Sequence, residues 1–260
     1  GSEEDPKLIL IDGGPSGVYA PHLRPRLEAI REARGSSEND PLLLDLLMVS
    51  HVDDDHIRGI LELTKELIES EDERREKLVR VLALWHDSFD DIIGNGAESL
   101  LSAVVDVRAS TGVHLPEDIE VEPDGEHVHR KDVEASLRIL SSIRQGAQLR
   151  NDANRLNWLT NPQFDEGLIV ASEEQDDIDF GDVTVTVVGP LKTELQALQR
   201  EHDNWLRELE REAKTPAEVL AAYSDASVPN LSSLVFVVKH EEKRILLTGD
   251  ARGDAGEGVR

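Results

Sequence analysis

Short apolar runs alternate with longer amphipathic stretches along much of the chain. The stretches KLILID (Lys7–Asp12) and LLLDLLMVS (42–50) have the length and composition of buried strands, and a polar residue or glycine follows each. Apolar residues from Ile57 to Ser70 instead recur at helical spacing. Strands that alternate with helices predict a layered α/β (α+β) domain whose site lies along one edge of a sheet.

The same pattern predicts the remaining elements. A helix is expected at Leu23–Arg34 and a third strand at Leu78–His86, which ends in a histidine. Strict alternation in GDVTVTVVGP (181–190) gives the clearest strand, and SSLVFVVK with KRILLTGD predicts a hairpin that turns at HEEK. We interpret residues 1–260 as a single domain.

Two helical regions interrupt this alternation. Residues from about 97 to 160 are mostly helical in pattern and predict a helical insertion. A long charged helix over about 191–213 follows, with apolar residues at four-three spacing from Leu191 to Leu209. That helix either packs on its own domain or forms an arm that pairs with a protein partner.

Composition narrows the class of protein. Hydrophobic residues make up 38% of the chain and aromatic residues 3%, so the core must be mostly aliphatic. There are no cysteines, which excludes disulfides and thiolate ligands and suits a cytoplasmic protein. The longest apolar runs are too short to cross a bilayer, and no signal peptide is visible, so no membrane association is expected.

The charge balance argues against ordinary nucleic-acid binding. Acidic residues number 54 against 28 basic ones, which gives a formal net charge of −26. Nonspecific nucleic-acid binding depends on cationic side chains that displace counterions. The chain should therefore repel a polyanion except where bound metal ions reverse the local sign.

The stretch SHVDDDH (50–56) carries the candidate chemistry. It follows a buried strand and supplies two histidines and three aspartates within a few residues. One interpretation is an acidic N-cap for the next helix, which accounts for one or two of the acids. A metal site accounts for both histidines as well, and we favour it, with Asp54 directed away and dispensable.

The motif and three further stretches resemble the metallo-β-lactamase superfamily. HxDxDH is similar to its HxHxDH motif with aspartate in place of the second histidine, a variant typical of ComEC-like metallohydrolases. LILIDGG resembles the strand before that motif, GDVTVTVVGP a later strand, and NLSSLVFVVKHEEKRILLTGD the family's NxxSLVL…LLTGD hairpin. Together these segments extend from Leu8 to Asp250.

This resemblance implies a four-layer αββα sandwich with a metal centre at its edge. The implied metal ligands are His51, Asp53, Asp55, His56 and Asp250, and Asp250 would bridge two ions. Of these, Asp55, His56 and Asp250 are expected to take part in catalysis. Asp12 is expected to orient a ligand histidine, and Asn230 and Ser233 either contact the substrate or hold their loop.

Ligand chemistry predicts one or two divalent ions. Replacing an imidazole by a carboxylate makes the ligand set harder and favours Mn²⁺ more than a histidine-rich site does, so Mn²⁺ and Zn²⁺ both remain candidates. A two-metal site generates a hydroxide nucleophile and stabilises charge on an attacked phosphate. The resemblance therefore suggests a phosphodiesterase or nuclease, and it also suggests an effector of bacterial antiphage defence.

One part of the family pattern is missing. The superfamily uses a further histidine after the bridging aspartate, and this chain has none there, so we expect a piece of a longer protein or an incomplete site. His86, which ends an apolar run, is a candidate extra ligand or a structural histidine. An incomplete site favours the alternative of a scaffold or protein-interaction module, and the terminal arginine suits processing by a protease.

Overall fold

The structure, a computed structural model, describes residues 6–35, 40–88, 144–165, 167–174, 176–196, 199–200 and 232–251. These residues form a mixed α/β fold with parallel and antiparallel sheets. No helix within these ranges is long and apolar enough to cross a membrane.

The first sheet is parallel and has the strand order β1-β3-β5-β6. Its strands are β1 (Ile9–Ile11), β3 (Leu46–Met48), β5 (Ala83–Trp85) and β6 (Leu159–Thr160). A second, two-stranded parallel sheet consists of β2 (Leu42–Leu44) and β4 (Val79–Val81). Along the chain, β2 directly precedes β3, and β4 directly precedes β5. Each of the two longer strands predicted here is thus divided into two.

Asp45 explains the division of the first of these strands. Its amide donates a hydrogen bond to the Leu8 carbonyl at 2.9 Å, and its side chain accepts one from the Leu8 amide at 2.9 Å. A side-chain oxygen thus replaces a backbone carbonyl in the ladder at this position. In the partner strand, Leu82 separates β4 from β5.

The second sheet is antiparallel and has the strand order β10-β9-β8-β7. It comprises β7 (Ile178–Phe180), β8 (Val183–Gly189), β9 (Val235–His240) and β10 (Lys243–Leu247). The alternating strand and the hairpin predicted from the sequence are both present. The short strand β7 was not predicted, because three residues are too few to show a periodicity.

Helices cover one face of the parallel sheet. They include a π-helical turn at Tyr19–Leu23, α1 (Arg24–Ala33), α2 (Asp54–Asp72) and α3 (144–155). The predicted insertion is helical where α3 is described and ends in strand β6, while its residues 97–143 lie outside the described ranges. The charged helix begins at 192–196, and most of its predicted length also lies outside them.

Period-two burial in the parallel strands creates two cores. In β3, Leu47 packs among the helices, whereas Leu46 and Met48 pack against the antiparallel sheet. Trp85 of β5 lies on the same side as Met48, with its ring centroid 5.3 Å from that of Phe236 in β9. The described residues thus form a helical layer, a parallel sheet and an antiparallel sheet packed face to face.

Candidate metal centre

The carboxyl ends of the parallel strands meet at one edge of the fold. Ile11 of β1 is in register with Met48 of β3, and Met48 with Trp85 of β5. Asp12, Ser50–His51 and His86 therefore emerge side by side. The antiparallel sheet reaches the same edge, because the Leu234 amide, just before β9, donates to the Ser50 carbonyl at 2.7 Å.

Three predicted ligands meet at this edge. His51, His56 and Asp250 each offer a ligand atom, and these atoms all lie within 4.8 Å of one another. The Asp250 carboxylate has one oxygen 3.6 Å from His56 Nε2 and the other 4.0 Å from His51 Nε2. Residues almost 200 positions apart in sequence are thus brought together, as the resemblance implied.

His51 is the buried member of the group. Its side chain is fully buried, and neither ring nitrogen has a hydrogen-bond partner among the described residues. Burial, with a smaller contribution from the neighbouring His56, lowers the pKa of His51 below its usual value. A neutral imidazole with an unused lone pair is the form that binds a metal ion.

His56 is held by a carboxylate behind it. Its Nδ1 lies 2.9 Å from Asp12 Oδ2, and this hydrogen bond raises the pKa of His56 above its usual value, although burial opposes the shift. With Nδ1 turned toward Asp12, Nε2 faces Asp250. A carboxylate that orients a ligand histidine is the role predicted for Asp12.

The other motif aspartates lie in different positions. Asp53 is the N-cap of α2, and its side chain accepts the Asp54 amide at 3.0 Å. Asp54 pairs with Arg58 and accepts from Gln145 of α3 at 2.8 Å. Asp55 is 62% exposed, with Oδ1 3.7 Å from His56 Nε2. The helix-cap interpretation of the motif therefore applies to Asp53. The metal-site interpretation is supported by the two histidines, which lie beside Asp250.

A close crossing of two glycines places α2 against the end of β1. The Gly13 amide donates to the His56 carbonyl at 2.7 Å, and the Gly59 amide donates to the Gly14 carbonyl at 3.0 Å. A Cβ atom on Gly59 would lie 2.0 Å from the Gly13 oxygen. The absence of both side chains lets the first turn of α2 bring His56 to Asp12.

His86 lies at the same edge but is not a member of the three-residue group. It is buried, and its backbone exchanges two hydrogen bonds with the Asn161 side chain, each at 3.0 Å. The side chain of the next residue, Asp87, accepts hydrogen bonds from the side-chain amide of Asn161 and from the backbone amide of Ile169. Asn161 was not identified from the sequence, and it fixes the chain that follows β5.

Two serines, Ser233 and Ser50, lie next to residues of the metal group. Ser233 is buried beside the turn that carries Asp250, since a Cβ on Gly249 would lie 3.4 Å from Ser233 Cβ. Asn230 lies outside the described residues. No role of its own was predicted for Ser50 within the SHVDDDH motif, although its hydroxyl donates a hydrogen bond to Asp12 at 2.8 Å. Its position directly before the first histidine is the only signal that the sequence offers.

The three residues could hold a divalent metal ion, although their ligand atoms lie somewhat farther apart than bound ligands do. Two ligand atoms bound at about 2.0–2.2 Å to one tetrahedral ion lie about 3.3–3.6 Å apart. The separation between His56 and Asp250 is at the upper end of this range, and that between His51 and Asp250 exceeds it by a few tenths of an ångström. The unpartnered nitrogens of His51 also require a ligand that this group alone does not supply.

Comparison with known proteins identifies no family for this chain. No protein-family model matches it, and neither does any curated protein sequence. The features that point to a metal centre at this edge are therefore the geometry of His51, His56 and Asp250 and the likeness of the HxDxDH motif to the metallo-β-lactamase pattern.

Proposed function

We propose that this protein is a metal-dependent hydrolase that cleaves phosphodiesters on a metallo-β-lactamase-like αββα scaffold. The observation that carries the proposal is the fully buried His51, which has two unpartnered ring nitrogens and offers one of them to the group with His56 and Asp250. Buried polar atoms are normally satisfied. A divalent ion held by this group would give that one nitrogen a partner and offset part of the cost of burying the imidazole.

The residues around the group have complementary tasks in such a reaction. A divalent ion bound here lowers the pKa of a bound water and stabilises negative charge on an attacked phosphate. His51 would hold the ion together with His56, whose imidazole is oriented by Asp12. Asp250 and Asp55 are 48% and 62% exposed, so the substrate and the attacking water approach from their side.

The donor set supports either Mn²⁺ or Zn²⁺. Two imidazoles and one carboxylate suit zinc, while an added carboxylate from Asp55 makes the set harder and favours manganese. The predicted ligands Asp53, Asp55 and His86 are not in the group of three, so the described residues supply ligands for one ion. A second ion would need further ligands.

Charge restricts the substrates that this proposal admits. With a net charge of −26, the chain should repel a polyanion, because nonspecific nucleic-acid binding is driven by cationic side chains. A small phosphodiester suffers least from this repulsion, and a nucleic acid would need the ion or a partner protein to hold it. By the motif resemblance alone, we also propose antiphage defence as the setting of a nuclease activity.

A second candidate function is a non-catalytic scaffold that retains a metal ion. The observation that favours it is the small size of the group, which has three ligand residues rather than the set expected for two ions. In that case the ion stabilises the fold, and the charged helix or the helical insertion binds a protein partner.

The decisive experiment measures metal binding and hydrolysis in the same variants. We would determine bound metal by mass spectrometry and affinity by calorimetry. Cleavage of bis-p-nitrophenyl phosphate, single-stranded and duplex DNA, and RNA would then be assayed with Mn²⁺ or Zn²⁺. The test variants are His51→Ala and Asp250→Ala. The matched control is Asp54→Ala, because Asp54 lies in the same motif but pairs with Arg58 and Gln145.

We expect both test variants to lose metal affinity by at least about tenfold and to lose hydrolysis, while Asp54→Ala matches the wild type. Metal binding without any phosphodiester cleavage would favour the scaffold. Cleavage that persists unchanged in His51→Ala and Asp250→Ala, or a wild-type protein that binds neither ion, would overturn the hydrolase proposal.

A further inference from the structure

Ser50 connects the elements that build the metal centre. It is buried at the end of β3, where its amide donates to Asp12 Oδ1 at 2.7 Å and its hydroxyl donates to Asp12 Oδ2 at 2.8 Å. Its carbonyl accepts the Leu234 amide at 2.7 Å. One residue thus links the end of β1, the end of β3 and the start of β9.

The same hydroxyl lies against the imidazole of His56. Ser50 Oγ is 3.2 Å from His56 Nδ1, which itself lies 2.9 Å from Asp12 Oδ2. When the hydroxyl donates to Asp12, its lone pairs remain available to the hydrogen on Nδ1. Ser50 therefore holds the carboxylate that orients the histidine, and through it keeps Nε2 directed at Asp250.

The turn that carries Asp250 packs on the opposite side of Ser50. Gly249 has φ +49°, and a Cβ atom there would lie 3.1 Å from both Cβ and Oγ of Ser50. The turn can approach this closely only because residue 249 has no side chain. The position of Ser50 therefore influences two members of the metal group, His56 through Asp12 and Asp250 through the packing of Gly249.

We propose that Ser50 is a positioning residue, whose hydroxyl fixes the orientation of His56 through Asp12 and thereby sets the metal affinity of the group. This inference deepens the proposed function and depends on it for the identity of the ligand. The alternative is that the hydroxyl only fills buried space, in which case its removal would affect folding but not the imidazole.

A double-mutant cycle on metal affinity separates the two roles. We would measure the dissociation constants for Zn²⁺ and Mn²⁺ in the wild type, Ser50→Ala, Asp12→Asn and the double variant. The matched control is Ser70→Ala, because Ser70 is equally buried but lies near the far end of α2. Urea unfolding of each metal-free protein would confirm that the variants are folded.

We expect Ser50→Ala to weaken metal binding by about tenfold, as is usual for partners that orient a ligand, and Ser70→Ala to leave it unchanged. In the Asp12→Asn background, removal of the Ser50 hydroxyl should change affinity by less than about twofold, because the residue acts through Asp12. Equal losses in both backgrounds, or no loss in folded Ser50→Ala, would overturn the proposal.

A spectroscopic measurement decides the question independently of metal. In metal-free protein, the imidazole N–H resonance of His56 should exchange with water at least about tenfold faster in Ser50→Ala than in Ser70→Ala, because a hydrogen-bonded donor is protected. If the wild type binds neither ion, the proposed function fails while this measurement still tests the orientation of His56. Equal exchange rates in the two serine variants would refute the positioning role.

Discussion

The crossing of α2 over the end of β1 gives the sharpest quantitative test of this structure. Gly59→Ala places a Cβ atom 2.0 Å from the Gly13 oxygen and 2.7 Å from the Gly13 carbonyl carbon. Both neighbours are backbone atoms, which cannot rotate away as a side chain could. The helix must therefore move by about 1 Å, since unbonded carbon and oxygen atoms approach to roughly 3.2 Å.

The energetic cost follows from three contributions. Overpacking costs about 1–3 kcal/mol. The displacement also weakens the hydrogen bonds from Gly13 to His56 and from Gly59 to Gly14, at about 1 kcal/mol each. Alanine in place of glycine inside a helix returns about 1 kcal/mol. We expect Gly59→Ala to lower the free energy of unfolding by about 2–4 kcal/mol.

Urea unfolding followed by circular dichroism measures this change, and Gly146→Ala is the matched control. Gly146 lies in α3, and a Cβ there would lie 3.2 Å from Ser88 Cβ and 3.4 Å from a Val52 methyl, contacts that a shift of a few tenths of an ångström relieves. The control should change stability by less than about 1 kcal/mol, because propensity offsets the tighter packing. A Gly59→Ala protein as stable as the wild type would refute the crossing, and with it the placement of His56 against Asp12.

Two further predictions concern the motif itself. Asp53→Ala should lower the free energy of unfolding by about 1 kcal/mol through loss of the N-cap, whereas Asp53→Asn should retain both stability and metal affinity; a loss of metal affinity in the asparagine variant would show that Asp53 is a ligand after all. In metal-free protein, the contribution of His51 to stability should also fall as the pH drops below about 6.5, because burial lowers the pKa of folded His51 and the unfolded chain then binds the proton more readily. His56 acts with the opposite sign, since its raised pKa stabilises the fold at low pH and that contribution is lost as the pH rises. The difference in urea stability between wild type and His51→Asn at about pH 5 and pH 7 isolates the His51 contribution, and an equal difference at both values would contradict it.

Periodicity predicted the elements that pack on one another. The apolar positions of α2 and the alternation in β8 were visible because burial repeats every 3.6 or every two residues. The division at Asp45 was not predicted, because it depends on a side chain that replaces a backbone acceptor for Leu8. Its cause lies in a contact with a distant segment, which a local pattern does not encode.

The residues of the site could be predicted from the sequence, but their arrangement could be predicted only in part. The spacing of SHVDDDH identified both histidines, but it could not tell which aspartate caps the helix and which faces the group. That choice follows from the start of α2 at Asp54, which commits Asp53 to the N-cap. Asp250 was identified through its likeness to a family motif, and the fold then placed its carboxylate beside both imidazoles.

The charges around the group are arranged asymmetrically, and this asymmetry implies an order of events. Asp54, on the α3 side, is neutralised by Arg58. On the open side, Asp55 and Asp250 form ion pairs only with histidines among the described residues, and no lysine or arginine is paired with them. Two exposed carboxylates at the open edge of the group attract a cation and repel a phosphodiester. An ion that binds first reverses the local sign, so under the proposed function the substrate should bind only to the metal-loaded protein.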